Sequence, residues 1–275
     1  MTELKIFNFA NHAADQGDHD ALLDPIVMAL SSIPTLQTVE LSCLASFTRW
    51  DRSYIREESL SALFTLPKLK RANLTNLGLE DSHFSAISSS IGLEGPLQQL
   101  LLNGNYNSLL GLETMVRLLE SHRSLVILEL ENDVTMTDAV FDLLRRNLEQ
   151  NTVLRSFSCT YKVSSSHQNA INFFLQMNQL GLREDFFDPM ATSDKCVRIL
   201  AQVNNDSDFL LYLLREKPSI CNLEMNSIRT PKQYSRFKSN NTLFVFLLLF
   251  LTLVLAINVV GASSSSIPVE HVVAR

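Results

Sequence analysis

"LQQLLLNGNYN", residues 97–107, places leucine at 97, 100 and 102 and follows the last of them with a run of Asn and Gly. In an extended chain successive side chains face opposite sides, so Leu100 and Leu102 share one side while Gln99, Leu101 and Asn103 share the other. Gly104 and its flanking asparagines then mark a turn. The same L-x-x-L-x-L spacing returns at "LKIFNF" (Leu4, Phe7, Phe9), "LQTVEL" (Leu36, Val39, Leu41), "LKRANL" (Leu69, Ala72, Leu74), "LVILEL" (Leu125, Leu128, Leu130) and "LRSFSC" (Leu154, Phe157, Cys159). The starts at 4, 36, 69, 97, 125 and 154 are separated by 32, 33, 28, 28 and 29 residues. One match says little; six in register identify a repeat.

Helical patterns follow the short strands. "TDAVFDLLRRNLEQN" offers Thr137 as an N-cap and brings Val140, Phe141, Leu144 and Leu148 to one face. "GLETMVRLLESH" does the same with Leu112, Met115, Val116 and Leu119, and "SSSHQNAINFFLQMNQLG" with Ile171, Phe174, Met177 and Leu180, Gly181 serving as its C-cap. A single strand-helix unit cannot bury its apolar face, so such units stack into a solenoid. At ~4.8 Å per strand, six make an inner arc about 24 Å long.

These residues resemble the leucine-rich repeats, specifically the long ribonuclease-inhibitor-like class. The resemblance implies an α/β fold: a leucine-rich repeat solenoid, a horseshoe with a curved parallel sheet inside and helices outside, spanning 1–182. In that family the position three beyond the last leucine usually holds Asn or Cys, whose side chain bonds the turning backbone. Here Asn105 keeps it and the next repeat has Asp133, while His12, Leu44, Leu77 and Lys162 stand at the other equivalent places, so most of the expected ladder is missing. Residues 183–221 hold two further helical patterns, about 194–203 and 207–216. The second has Asp206 or Ser207 as cap and Phe209, Leu210, Leu213 and Leu214 as its buried stripe. This pair is expected to cover the open end of the solenoid, and it resembles the closing helices of uncharacterised repeat proteins of unicellular algae.

"LFVFLLLFLTLVLAINVV", residues 243–260, is apolar except for Thr252 and Asn258. At about 1.5 Å per residue it covers ~27 Å, close to a hydrocarbon core, and its Leu, Ile, Val and Phe residues favour insertion by ~5–9 kcal/mol. Residues 242–260 are therefore expected to form one transmembrane helix contacting the lipid bilayer. Arg229, Lys232, Arg236 and Lys238 precede it, in a basic flexible linker at 222–241, and only Arg275 follows, in a short tail at 261–275. That asymmetry predicts a cytosolic N-terminal part and a lumenal tail. The four cations are also placed to rest on anionic headgroups. The start, "MTELKIFNFANHAADQGD", lacks the apolar run of a signal peptide. The expectation is a tail-anchored protein of the endoplasmic reticulum or another endomembrane.

Charge and cysteine usage narrow the function. The whole chain carries −6; setting aside the linker's four cations and Glu224, and the tail's Glu270 and Arg275, leaves about −9 on residues 1–221. Such a domain is a poor binder of nucleic acid, whose phosphates need clustered Lys or Arg. Cys43, Cys159, Cys196 and Cys221 show no CxxC spacing and suit a reducing compartment. "HAADQGDHD" gathers His12, Asp15, Asp18, His19 and Asp20, but the spacing is wrong for a calcium loop, and a solvated helix start accounts for it. No GxSxG, HExxH, phosphate loop or Gly-rich dinucleotide turn occurs. Neither enzyme activity, metal, cofactor nor small-molecule substrate is expected.

What remains is protein binding. The inner face should carry Ile6, Asn8 and Ala10; Thr38, Glu40 and Ser42; Arg71, Asn73 and Thr75; Gln99, Leu101 and Asn103; Ile127, Glu129 and Glu131; Ser156, Ser158 and Thr160. The resemblance implies that this face binds protein, and Glu40, Glu129 and Glu131 point to a partner with a basic spot. A second candidate is "FTRWDRSY", residues 47–54, where Arg49, Trp50, Arg52 and Tyr54 are of the types that dominate binding hot spots; the alternative is that Trp50 covers the edge of its own repeat. The expected function is a membrane-tethered scaffold or adaptor. The rivals are a single-pass receptor with its repeats outside the cytoplasm, which occupied sequons at Asn73 or Asn205 would favour, and a regulatory subunit of a membrane complex.

Overall fold

The computed structural model describes residues 2–7, 23–42, 55–105, 108–131, 134, 136–159, 165–183, 186, 199 and 207–216. Six strands, β1 (Glu3–Phe7), β2 (Thr38–Ser42), β3 (Arg71–Asn73), β4 (Gln99–Leu101), β5 (Ile127–Leu130) and β6 (Ser156–Cys159), form one parallel sheet in chain order. Helices α1 (Leu23–Ser31), α2 (Glu57–Phe64), α3 (Asp81–Ser90), α4 (Leu109–Ser121), α5 (Asp138–Gln150) and α6 (Ser165–Leu180) each follow a strand, and α7 (Ser207–Glu216) packs on α6. This is a solenoid like that of the leucine-rich repeats. No helix among the described residues is long and apolar enough to cross a membrane; the expected span at 242–260 lies outside them, as do the linker and, apart from the buried Ile199, the first cap helix.

The register follows the leucine spacing. Val39, Ala72, Leu100, Leu128 and Phe157 stand side by side across β2–β6, and all are buried. The first repeat departs from its expected phase: Leu4 pairs with Val39 and Ile6 with Leu41. The phase is therefore shifted by three residues, and Glu3, Lys5 and Phe7, not Ile6, occupy the inner-face register; the expected Asn8 and Ala10 lie outside the described residues. "MTELKIFNF" has apolar residues on both alternations, so spacing alone could not fix its phase; an odd shift then swaps the two faces of the strand.

The helices cover one face of the sheet, and each packs on its sequence neighbour. Leu112, Met115, Val116 and Leu119 of α4 are buried, as are Val140, Phe141, Leu144 and Leu148 of α5. Thr137 is the N-cap of α5 by position, but its side chain makes no capping bond. Leu180 is 41% exposed instead of lying on the buried face of α6, because the helix ends there. Gly181 follows at φ +65°, with Leu182 N–H on Met177 O at 3.0 Å and Gly181 N–H on Asn178 O at 3.3 Å, a Schellman close.

Helix starts are tied to the preceding helix through buried or half-buried aspartates. Asp24 of α1 accepts the Arg56 N–H (2.9 Å), the Arg56 Nε (2.7 Å) and the Ser59 hydroxyl at the start of α2. Burial pulls its pKa upward, but the Ser59 and Arg56 hydrogen bonds outweigh this and hold the carboxyl below its ordinary 3.8. Asp81 of α3 likewise takes the N–H of Ser108 (2.7 Å) and of Gly111 (3.1 Å) at the start of α4. These orphan helix N–H groups need acceptors, and an anion there also meets the positive end of the helix dipole.

Candidate functional site

The sheet face turned away from the helices presents the residues between the patterned leucines. In strand register Thr38, Arg71, Gln99, Ile127 and Ser156 form one row, and Glu40, Asn73, Leu101, Glu129 and Ser158 the next. The alternation expected from the sequence is what brings them together: Leu100, Leu128 and Phe157 point into the core, so their neighbours must point out.

Two halves of this face differ electrostatically. Over β2–β4 the charges are spent internally. Arg71 Nε donates to Glu40 Oε1 at 3.0 Å, and its Nη1 donates to the Gln99 side-chain oxygen. Glu40 is only 8% exposed, so of the three acids expected to meet a partner it is already engaged by Arg71. Asn73 Oδ1 accepts the N–H (3.2 Å) and the hydroxyl (2.7 Å) of Thr75. Over β4–β6 the acids face solvent without a basic neighbour on this face among the described residues. Asn103 Nδ2 donates to Glu129 Oε2 at 2.8 Å while Asn103 Oδ1 accepts the Glu131 N–H at 2.8 Å, which aligns Glu129 beside the exposed Glu131. Leu101 and Ile127 are half-buried alongside, and the buried Ser158 Oγ, next to Glu129 in register, has no hydrogen-bond partner.

The turn leaving the sheet is held by Asn105, the ladder position kept in the sequence. It is 4% exposed; its Oδ1 accepts the N–H groups of Leu77 (3.0 Å) and Leu79 (3.1 Å), and its Nδ2 donates to Leu74 O (2.9 Å) and Leu102 O (2.8 Å). One asparagine thus serves two repeats, which is why Leu77 can stand at the ladder position of the earlier one. A second set of rungs, not anticipated from the sequence, lies where helices return to strands. Asn151 Nδ2 donates to Leu119 O (3.0 Å), and its Oδ1 accepts the N–H groups of Val153 (3.0 Å) and Leu154 (2.8 Å). Asn178 Nδ2 donates to Asn151 O (2.9 Å) and Leu154 O (2.7 Å). The only signal was a polar residue recurring at the end of each helical pattern.

Arg49, Trp50, Arg52 and Tyr54 lie outside the described residues, as do Arg229, Lys232, Arg236, Lys238, Ala10 and Thr160. No group of three or more His, Cys, Asp or Glu residues able to hold a metal occurs among the described residues.

No protein-family model matches the chain, and no curated protein matches it in sequence. Among solved structures, the leiomodin-1 domain titled actin-binding site 2 aligns with a TM-score of 0.50 at 17% identity, covering 59% of this chain and 92% of that one. The C-terminal domain of tropomodulin from Caenorhabditis elegans aligns with a TM-score of 0.45 at 14% identity, covering 58% and 92%. The first supports the fold, a parallel sheet of the leucine-rich-repeat kind.

Proposed function

We propose that this chain is a non-enzymatic scaffold or adaptor, tethered to a membrane through residues 242–260, that captures a protein on the open face of its sheet. The observation carrying this is the pre-ordered acidic patch over β4–β6: Glu129 held by Asn103, Glu131 exposed beside it, and half-buried Leu101 and Ile127 around them. Aligned carboxylates next to apolar side chains give a cationic residue with an aliphatic stem both an ion pair and a place to pack. The solved domain titled an actin-binding site shows a similar fold in a protein that binds protein. Residues 242–260 supply the tether, and the cations at 229–238 favour keeping the repeats on the cytosolic side.

The test compares proteins retained by the detergent-solubilised full chain with those retained by Glu129→Arg/Glu131→Arg and by Glu120→Arg, a control on the outer surface of α4. Loss of a central interface pair should weaken true partners at least about ten-fold, with the control unchanged; identical partner sets from all three would refute the site. For the tether, protease treatment of sealed microsomes should remove an N-terminal tag and spare a C-terminal one.

A further inference from the structure

The acidic patch and the basic stretch "RTPKQYSRFK" (residues 229–238) belong to the same chain, and their chemistries match. The patch offers Glu129 and Glu131 with Leu101 and Ile127 beside them, and no cation of its own strands among the described residues. The stretch offers Arg229, Lys232, Arg236 and Lys238 interleaved with Tyr234 and Phe237. We infer that residues 229–238 dock in cis on the open face of β4–β6, occupying the surface that a partner would use. The inference rests on the open face being the binding site, and it adds an occupant that a partner must displace.

Reach permits it. The described chain ends in α7 at Glu216, and the roughly dozen residues from there to Arg229 extend up to ~40 Å. The whole six-strand sheet measures only about 24 Å across, and β6, the strand of the last repeat, borders β5, which carries Glu129 and Glu131. A covalent tether of this length supplies a millimolar-scale effective concentration, enough for a few exposed ion pairs and two aromatic contacts to hold. A partner gains access by presenting a better-spaced set of cations. Arg71 cannot serve as an internal substitute for the basic stretch, since Glu40 and Gln99 already hold its guanidinium.

The experiment uses the full chain in phosphatidylcholine nanodiscs, whose zwitterionic surface does not compete for the cations, treated with a water-soluble carbodiimide that joins carboxylates to amines in direct contact. Mixing isotopically light and heavy chains separates links within one chain from links between copies. The expected result is intramolecular joining of Lys232 or Lys238 to Glu129 or Glu131. Glu129→Gln/Glu131→Gln must abolish those links, and circular dichroism must show the repeats still folded. The variant Arg229→Gln/Arg236→Gln keeps both lysine reporters and should lower the yield about ten-fold, within what two exposed ion pairs supply. Links confined to other carboxylates, links only between copies, or a yield indifferent to the arginines would overturn the inference. If partner binding still fell with Glu129→Arg/Glu131→Arg, the site itself would stand; if it did not, the functional reading would fail separately.

Discussion

At the scale of single residues, the fold depends on side chains that complete the backbone's hydrogen bonding at the turns. Asn105 satisfies two N–H and two C=O groups of adjacent repeats while nearly inaccessible to solvent. Asn105→Ala leaves those groups buried and unpaired, and unfolding in urea should show a loss of about 2–4 kcal/mol. His122 does related work one repeat later: its Nδ1 accepts the Leu125 N–H at 3.1 Å, its carbonyl accepts from Asn151, and it is fully buried. Burial pushes its pKa below the ordinary 6.5. Below that value the unfolded chain takes up a proton that the folded chain refuses. The stabilisation is therefore complete above 6.5 and is lost as the pH falls below it. Between about pH 7 and about pH 5, the wild type should lose more unfolding free energy than His122→Gln, by up to ~1.4 kcal/mol for each unit of the pKa shift. Equal losses would show that His122 titrates normally.

At the scale of elements, the exits from β3 and β4 share a left-handed turn. Asn76 has φ +58° and Gly104 φ +67°, and each donates its N–H to a residue just beyond the next strand, to Asn103 O at 2.8 Å and to Glu131 O at 2.7 Å. A Cβ on Gly104 would stand 1.7 Å from Asn76 Oδ1, besides requiring a conformation disfavoured for any side chain. Gly104→Ala should cost about 2–3 kcal/mol in a denaturant titration. In the Asn76→Gly background the clash is gone and only the backbone strain of about 1–2 kcal/mol remains; failure of the two substitutions to couple would place the neighbouring turn elsewhere. The helices were legible in the sequence because apolar positions at a 3.6-residue spacing become buried faces, as α4 and α5 show. The asparagines at 147, 151 and 178 were not: Asn147 Nδ2 donates to Val116 O at 2.7 Å much as the other two serve their neighbours, but a polar residue on or just beyond a helical pattern looks the same whether it meets water or a neighbouring repeat's carbonyl.

At the scale of the whole molecule, the last repeat is closed by aromatic packing between α6 and α7. Phe173 is 1% exposed and meets Phe174, Phe186, Phe209 and Tyr212 with ring centroids 4.6–5.6 Å apart. Arg183, 4% exposed, donates to Leu148 O and lies 4.8 Å over the Phe174 ring. Burial lowers its pKa to about 10, against the opposing pull of Glu149. Phe173→Ala should cost about 3–5 kcal/mol. In a solenoid, where each unit touches only its neighbours, hydrogen exchange should quicken first in α6 and α7 and least in β2–β3; a uniform increase would show that the repeats unfold as one block.

The leucine spacing by itself determined the repeat, the parallel register of β2–β6 and which side chains of those five strands lie on the open face, because strand alternation leaves each of them one side to occupy. It also marked 242–260 as apolar enough to span a bilayer. Only the tertiary structure decided the phase of the first strand, where both alternations are apolar, and which charges on the face are already spent. Arg71 lies 31 residues from Glu40 and 28 from Gln99 along the chain, so no local pattern announces that they cancel. The net acidity of the β4–β6 half arises from pairings across strands, and pairing across strands exists only once the repeats have stacked.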